Sequence, residues 1–328
     1  MGHYVYNYFF IKKKLAIKQK SLFIEHRAES MDSTRTKANL CGILAILLWS
    51  TIVGLIRNVS EGVGAVAGAA LIYTAGSVFL FLLLGSPKLR AFKPAYLFAG
   101  GALFASYEIC LSLALGYATT RAQSIEVSVI NYLWPSFTVL LSFLCNGGKL
   151  KLSLLLGVLL SLLGVTVVIS GGSLTSLSGM ADNIIAHPVS YILAFVGAIL
   201  WAVYCVVTNK YANGQNGAAL FFALTALCLW IKWLLGGAQS FTISLHSAFY
   251  IAMAGAAMGF GYAAWNIGMI KGDINLLATL SYFTPILSAL FASLILSSLL
   301  PATFWLGVCA VTAGALICWL STKKRKAQ

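Results

Sequence analysis

Charged residues are scarce in this chain of 328 residues: Asp, Glu, Lys and Arg together make up 9%, and only 8 residues are acidic. Hydrophobic residues make up 60%, and the mean hydropathy is strongly positive. A soluble domain of this length has too little interior to bury so much apolar surface. The composition therefore excludes a soluble globular protein and indicates that lipid surrounds most of the chain.

Enzyme and metal-binding signatures are absent as well. The chain has only 4 histidines and contains no HExxH, no GxSxG, no paired-aspartate diphosphate site and no phosphate-binding P-loop. Its 7 cysteines form no CxxC pair. We therefore expect no enzymatic activity, no metal site and no cofactor, and bound ATP is excluded as an energy source on this chain.

The formal net charge of +14 arises from basic residues that lie between apolar runs and at the two ends of the chain. This distribution is typical of a multi-pass membrane protein rather than of a basic nucleic-acid-binding face. The expected partners are consequently the lipid bilayer and a small-molecule substrate, with no nucleic acid. The sequence leaves the oligomeric state open.

Apolar runs of about 18 to 25 residues recur along the chain, and each is long enough to cross a hydrocarbon core as a helix. Backbone groups in lipid must be satisfied within their own segment, so continuous runs of this kind predict helices and an all-α bundle. The predicted spans are 38–56, 66–85, 94–116, 123–145, 151–171, 188–208, 217–236, 247–270, 274–297 and 302–321.

The distribution of Lys and Arg predicts the orientation, because cytoplasmic loops carry an excess of these residues. An even number of spans places both termini on one side. On that side lie Arg35, Lys37, Lys88, Arg90, Lys93, Lys149, Lys151, Lys210, Lys271, Lys323, Lys324, Arg325 and Lys326. The opposite side has only Arg57 and Arg121, with Lys232 near the outer end of the seventh span. Both termini should therefore be cytoplasmic.

The chain outside the spans divides into short pieces. Residues 1–37 form an N-terminal extension that is expected to be disordered or to precede the native start, for which Met31 is an alternative. The extension has no cleavage-site pattern and is not a convincing signal peptide. Residues 322–328 form a basic cytoplasmic tail.

The chain repeats itself at a fixed offset, which is its most informative feature. Residues 131–135, NYLWP, align with 281–285, SYFTP, and Gly157 and Gly164 align with Gly307 and Gly314, all at a shift of 150 residues. The run AILLW at 45–49 likewise resembles GAILW at 197–201. We therefore predict two five-helix repeats, at 38–171 and 188–321.

An odd number of spans in each repeat makes the second repeat an inverted copy of the first. Inverted repeats are characteristic of secondary transporters, whose substrate site lies near the membrane midplane between the copies. The pattern therefore predicts transport by alternating access. An old duplication without a transport role is the alternative.

Two prolines and two glutamates stand out within the spans. Pro135 and Pro285 each lack an N–H and so free the carbonyl four residues earlier. The resulting kinks are candidate hinges and candidate acceptors for a substrate ammonium, and a purely architectural kink is the alternative. Glu108 and Glu126 are predicted to be the only acidic residues within the spans, and intramembrane carboxylates usually face a cavity or a partner. Both are candidates for proton coupling, although a facilitator would need no titrating group.

Aromatic residues with a polar atom gather on the helices that the repeat pairs together. Such rings can stack on a flat solute while amides and a carboxylate orient its polar end. The predicted substrate-binding residues are Trp49, Tyr107, Glu108, Asn131, Tyr132, Trp134, Trp201, Tyr204, Tyr262, Trp265, Asn266 and Tyr282.

Five segments, 49–62, 106–118, 125–136, 193–217 and 261–273, resemble the bacterial aromatic amino acid exporters. This family lies in the drug/metabolite transporter superfamily, in the branch with ten helices and two EamA repeats. The resemblance extends from about Met31 to Lys323, and Lys232, a charge within a span, departs from the pattern.

The resemblance, and not the composition or spacing, implies efflux of phenylalanine, tyrosine and tryptophan through the bacterial inner membrane. Efflux of flat toxic cations or other metabolites is the alternative substrate range. A non-transporting membrane sensor is a third reading, for which a sizeable soluble domain would be expected.

Overall fold

The computed structural model describes residues 34–145, 151–169, 177–213, 215–272 and 274–322. Most of the predicted extension 1–37 and of the tail 322–328 lies outside these ranges. The helices are α1 (Thr34–Val63), α2 (Ala65–Leu84), α3 (Pro94–Gly116), α4 (Arg121–Asn131), α5 (Trp134–Cys145), α6 (Leu152–Ile169), α7 (Leu177–Ala186), α8 (Pro188–Tyr211), α9 (Ala218–Leu235), α10 (Leu245–Lys271), α11 (Ile274–Ser281), α12 (Thr284–Ile295) and α13 (Ala302–Thr322).

The prediction of an all-helical, membrane-spanning fold is confirmed. Within the described ranges the chain has 9 helices that are long and apolar enough to cross a membrane. A tenth crossing requires α11 and α12 together, because each alone is too short to span the hydrocarbon core. The count of ten spans and the cytoplasmic position of the termini stay predictions.

The fourth and ninth predicted spans are each divided into two helices. The first of them ends at Asn131 and resumes at Trp134, and the other ends at Ser281 and resumes at Thr284. Each proline occupies the second position of the resumed helix, where its missing N–H costs no helical hydrogen bond. The prediction of prolines within continuous, kinked helices was therefore wrong in detail, although both breaks fall at the repeated motif.

Two further helical segments differ from the predictions. Helix α1 continues to Val63, past its predicted end at 56, so Glu61 lies within the first span. The prediction that Glu108 and Glu126 are the only acidic residues within the spans was therefore wrong. Helix α7 was not predicted, because ten residues are too few for a hydropathy search to detect. Its Asn183 amide nitrogen donates to the Ile169 carbonyl at 3.0 Å and caps the end of α6.

Helices α6 and α13 pack directly through their glycines. A Cβ added at Gly164 would lie 2.6 Å from the Gly307 carbonyl oxygen, and one added at Gly157 would lie 2.8 Å from the Gly314 carbonyl oxygen. Because the earlier glycine of α6 faces the later glycine of α13, the two helices run antiparallel. Helices that match at a fixed offset yet run in opposite directions have the relation that inverted copies require.

Substitution of Gly164 by leucine is expected to destabilise the protein, because the new side chain would collide with the backbone of α13. Overpacking of this kind costs about 1–3 kcal/mol, and we expect a lower midpoint of thermal unfolding in detergent. Leu163→Ala, an outward-facing change one residue away, serves as the control. Equal midpoints for Gly164→Leu and the wild type would contradict the close packing.

Candidate functional site

A cavity of about 350 Å³ lies between the two helix breaks. This volume is near the lower end of the range for small-molecule sites. Helices of both predicted repeats form its wall. Its described lining consists of Trp49, Ile52, Val53, Tyr107, Glu108, Leu111, Ser128, Asn131, Tyr132, Trp134, Pro135, Thr138, Val139, Trp201, Cys205, Met258, Tyr262, Trp265, Ser281, Tyr282 and Thr284.

Most of the residues predicted for substrate binding meet in this wall. Those that line it are Trp49, Tyr107, Glu108, Asn131, Tyr132, Trp134, Trp201, Tyr262, Trp265 and Tyr282. Tyr204 is placed behind Trp201, and Pro285 and Glu126 are not part of the described lining. Asn266 belongs to α10, but its side chain lies outside the described part of the chain. The role of all these residues in binding stays a prediction.

Aromatic rings form two groups in and beside the cavity wall, and Phe104 contacts both. In the first group the Trp201 ring lies between Tyr107 and Tyr204, with centroid separations of 4.4 and 4.9 Å. In the second group Trp49 contacts Tyr262 at 5.1 Å and Trp265 at 5.3 Å. The first group comes from α3 and α8, and the second comes from α1 and α10. Each group therefore combines residues of both predicted repeats, and a solute that contacts either group contacts both repeats.

Glu108 is held by two tyrosine hydroxyls. Its Oε2 accepts a hydrogen bond from the Tyr73 hydroxyl at 2.6 Å, and its Oε1 accepts one from the Tyr262 hydroxyl at 3.0 Å. The Ser112 hydroxyl donates in turn to Tyr73 at 3.2 Å. Glu108 is 2% exposed. The carboxylate thus links α2 and α3 to α10 at the cavity wall.

Tyr73 was missed by the sequence analysis. It lies on α2, a helix with no predicted site residue, and no motif or spacing relates it to Glu108. Only the packing of α2 on α3 brings its hydroxyl to the carboxylate. No signal in a single sequence would have identified it.

Three wall hydroxyls donate to backbone carbonyls of their own segment. Ser128 donates to Ile125 at 2.6 Å and Thr138 donates to Trp134 at 2.7 Å. Thr284 donates to the Ser281 carbonyl at 2.6 Å, across the break between α11 and α12. Thr284 could have been found from the sequence, since it aligns with Trp134 in the repeat.

Two buried polar atoms in the wall lack a hydrogen-bond partner. One is the indole nitrogen of Trp49, and the other is the side-chain oxygen of Asn131, whose amide nitrogen donates to the Tyr107 hydroxyl at 3.4 Å. The Trp49 nitrogen lies against α10, 2.6 Å from where a Cβ on Gly261 would stand. A buried polar group without a partner is costly, which is typical of a site that a ligand completes.

An ion cluster lies at the end of the bundle where α1 ends and α4 begins. Glu61 pairs with Arg57 on its own helix at 3.0 Å and with Arg121 at 2.8 Å. Arg121 also donates to the Leu296 carbonyl at 3.0 Å, and Arg57 donates to the Ala118 carbonyl. The Arg57 and Glu61 pair has the four-residue spacing of helical ion pairs, so the sequence contained a usable signal. The cluster joins α1 and α4 to the chain that follows α12.

Glu126 lies on α4, away from the cavity. It is half-buried, and its Oε2 accepts a hydrogen bond from the Tyr191 hydroxyl of α8 at 3.1 Å. Tyr191 is thus a structural partner of Glu126, and Glu126 is not among the described residues that line the cavity.

The chain is similar to known proteins both in sequence and in fold. Residues 36–170, from the first turn of α1 to just past the end of α6, match the EamA-like transporter family. A crystal structure of a protein 24% identical, covering 88% of this chain and 100% of its own, superposes with a TM-score of 0.62. At that identity the likeness shows a common fold alone.

Three curated relatives are each named aromatic amino acid exporter YddG. The Salmonella typhimurium protein is 48% identical over 292 residues, which cover 89% of this chain and 100% of the relative. The Escherichia coli K12 protein is 47% identical, with coverage of 89% and 99%. The Ancylobacter novellus protein is 29% identical, with coverage of 78% and 88%. This chain belongs to the EamA-like transporter family.

Proposed function

We propose that the protein exports aromatic amino acids from the bacterial cytoplasm through the inner membrane. The observation that carries the proposal is the cavity between the helix breaks, whose size suits one such molecule and whose wall is rich in Trp and Tyr rings. Relatives at 47–48% identity that bear the name of aromatic amino acid exporter support the choice of substrate. The protein is a transporter and not an enzyme on this proposal.

Alternating access between two inverted repeats, 38–171 and 188–321, is the mechanism that we propose. The helix breaks before Pro135 and Pro285 act as hinges, since two turn residues connect the halves of each broken span. The antiparallel packing of α6 and α13 supports this arrangement. In this mechanism the predicted substrate-binding residues of the two repeats enclose the solute, and the cavity opens alternately to the cytoplasm and to the periplasm.

Uptake of labelled tryptophan into proteoliposomes tests the proposal. We expect transport well above that of protein-free liposomes, with competition by phenylalanine and tyrosine. Folded protein that transports no more than empty liposomes would reject it.

The ion cluster around Glu61 closes the predicted periplasmic end in this conformation. Arg121 starts the outer half of one broken span and bonds to Leu296, which follows the outer half of the other, so separation of these halves must break that contact. Arg121→Ala is expected to favour the outward-open state.

Labelling of Cys205, which lines the cavity, reports that shift. In a background without the other cysteines, a membrane-impermeant thiol reagent added from the periplasmic side should react several-fold faster in Arg121→Ala. Arg90→Ala removes an exposed arginine from the opposite predicted side and serves as the control. Unchanged labelling would show that Arg121 does not hold the end closed.

A further inference from the structure

The polar groups of the cavity wall are unevenly divided between donors and acceptors. Among the described lining residues Glu108 is the one acidic side chain, and none is Lys, Arg or His. A zwitterionic amino acid that enters this cavity therefore finds a charged partner for its ammonium group and none for its carboxylate. Electrostatics alone thus favours recognition of the ammonium end.

The hydroxyl groups strengthen this imbalance. A hydroxyl has one proton to donate and two lone pairs to accept. The protons of Ser128, Thr138 and Thr284 point to backbone carbonyls at 2.6 to 2.7 Å, so these groups offer acceptors to a solute.

The hydroxyl protons of the two tyrosines around Glu108 are also already used in hydrogen bonds and are not available to a solute. Tyr73 and Tyr262 both donate to the carboxylate. A solute carboxylate, which only accepts, therefore finds only neutral donors among the described lining, such as indoles, phenols and the Asn131 amide. A solute ammonium, which only donates, finds many acceptors.

Glu108 keeps capacity for a further donor. A carboxylate can accept about four hydrogen bonds, and each oxygen of Glu108 has one tyrosine donor among the described contacts. The ring of Tyr262 packs at 5.1 Å against that of Trp49, so two aromatic rings lie near the carboxylate. Aromatic rings around an acidic group are suited to a cation because their faces carry negative charge.

From this arrangement we infer that the cavity recognises the aromatic ring and the ammonium group of its solute, with Glu108 as the ammonium acceptor, and does not require the α-carboxylate. The inference rests on the proposed export function and extends the substrate class to carboxylate-free aromatic amines, such as α-amino amides. Compounds that keep the ring and carboxylate but lack the ammonium are excluded.

Two derivatives of tryptophan distinguish recognition of the ammonium group from recognition of the carboxylate. Tryptophanamide keeps the ring and the ammonium, whereas N-acetyltryptophan keeps the ring and the carboxylate. Efflux of labelled tryptophan from proteoliposomes is measured with each as competitor. We expect tryptophanamide to inhibit about as well as unlabelled tryptophan and N-acetyltryptophan to be at least about tenfold weaker, as the loss of one charge-assisted hydrogen bond implies.

The Glu108→Gln variant tests whether Glu108 is the residue responsible for the preference for an ammonium group. Tryptophanamide should lose at least about tenfold in potency in this variant, while N-acetyltryptophan should change little. Asp182→Asn neutralises an exposed carboxylate on α7, off the cavity, and should keep the wild-type preference. If Glu108→Gln does not fold, thermal stabilisation of the wild type by the two derivatives in detergent gives the same comparison.

The possible failures are distinguishable. Tryptophan transport without inhibition by tryptophanamide, or with equal inhibition by N-acetyltryptophan, would overturn the inference and leave the export proposal intact. Absence of tryptophan transport by folded protein would reject the export proposal. In that case, stabilisation by N-acetyltryptophan at least equal to that by tryptophanamide would overturn the inference also.

Discussion

Tryptophan export by the Glu108→Gln variant is expected to fall at least about tenfold, because a neutral amide replaces a carboxylate whose hydrogen bond to an ammonium is worth about 1.5–3 kcal/mol. The same variant should lose any response to a pH gradient. Glu108 is buried in the cavity wall, where a proton and a substrate ammonium would compete for one carboxylate. Release of substrate on one side would then follow proton binding there.

Efflux from loaded proteoliposomes, with and without an acidic exterior, measures both effects. In the wild type an acidic exterior should accelerate export, because exterior protons displace the substrate from Glu108. Glu126→Gln tests the other predicted coupling residue, which bonds to Tyr191 outside the described cavity lining. If wild-type export does not respond to the pH gradient, the protein is a facilitator. If the response persists in Glu108→Gln, a residue other than Glu108 couples export to protons.

Substitution of Trp201 by alanine is expected to abolish transport and to destabilise the fold. The Trp201 ring is the middle of three, between Tyr107 and Tyr204, and it also contacts Trp134 at 6.2 Å. Trp201 is half-buried, so its removal is expected to cost less than the about 3–5 kcal/mol typical of a fully buried tryptophan. The remaining rings would lose the partner that fixes them, so the cavity wall would lose its shape as well.

A milder variant separates the two consequences. Trp201→Phe keeps a ring in the stack and should retain most of the thermal stability, but it should reduce tryptophan efflux several-fold because the wall becomes looser. Trp305→Ala removes a half-buried tryptophan of α13, outside the described cavity lining, and serves as the control. Normal efflux by Trp201→Ala would show that the stacked rings do not shape the site.

The helices themselves were largely predictable. Hydropathy over about 20 residues detects a span because lipid requires every residue in that length to be compatible with an apolar solvent. Two helical segments without a long apolar run were missed. Helix α7 is too short to be detected. The end of α1 carries Arg57 and Glu61, whose charges lower the mean hydropathy although the two side chains pair with each other.

The site was predictable to the extent that the repeat marked it. Asn131, Tyr132 and Trp134 were found because their motif recurs 150 residues later, and they lie in the cavity wall. Ser128 and Thr138 were missed because small hydroxyl residues are common in membrane helices. Tyr73 was missed because its partner is distant in sequence.

By itself the sequence determined that the chain spans a membrane as an all-helical protein, that it contains a repeat, and which repeated motif marks the two irregular spans. These properties follow from local composition and from self-similarity, which a single chain displays directly. Only the tertiary structure decided which side chains share the cavity, which hydroxyl protons are already used, and that Arg121 joins Glu61 to Leu296. Those facts depend on contacts between residues far apart in the chain, and hydropathy and spacing contain no information about such contacts.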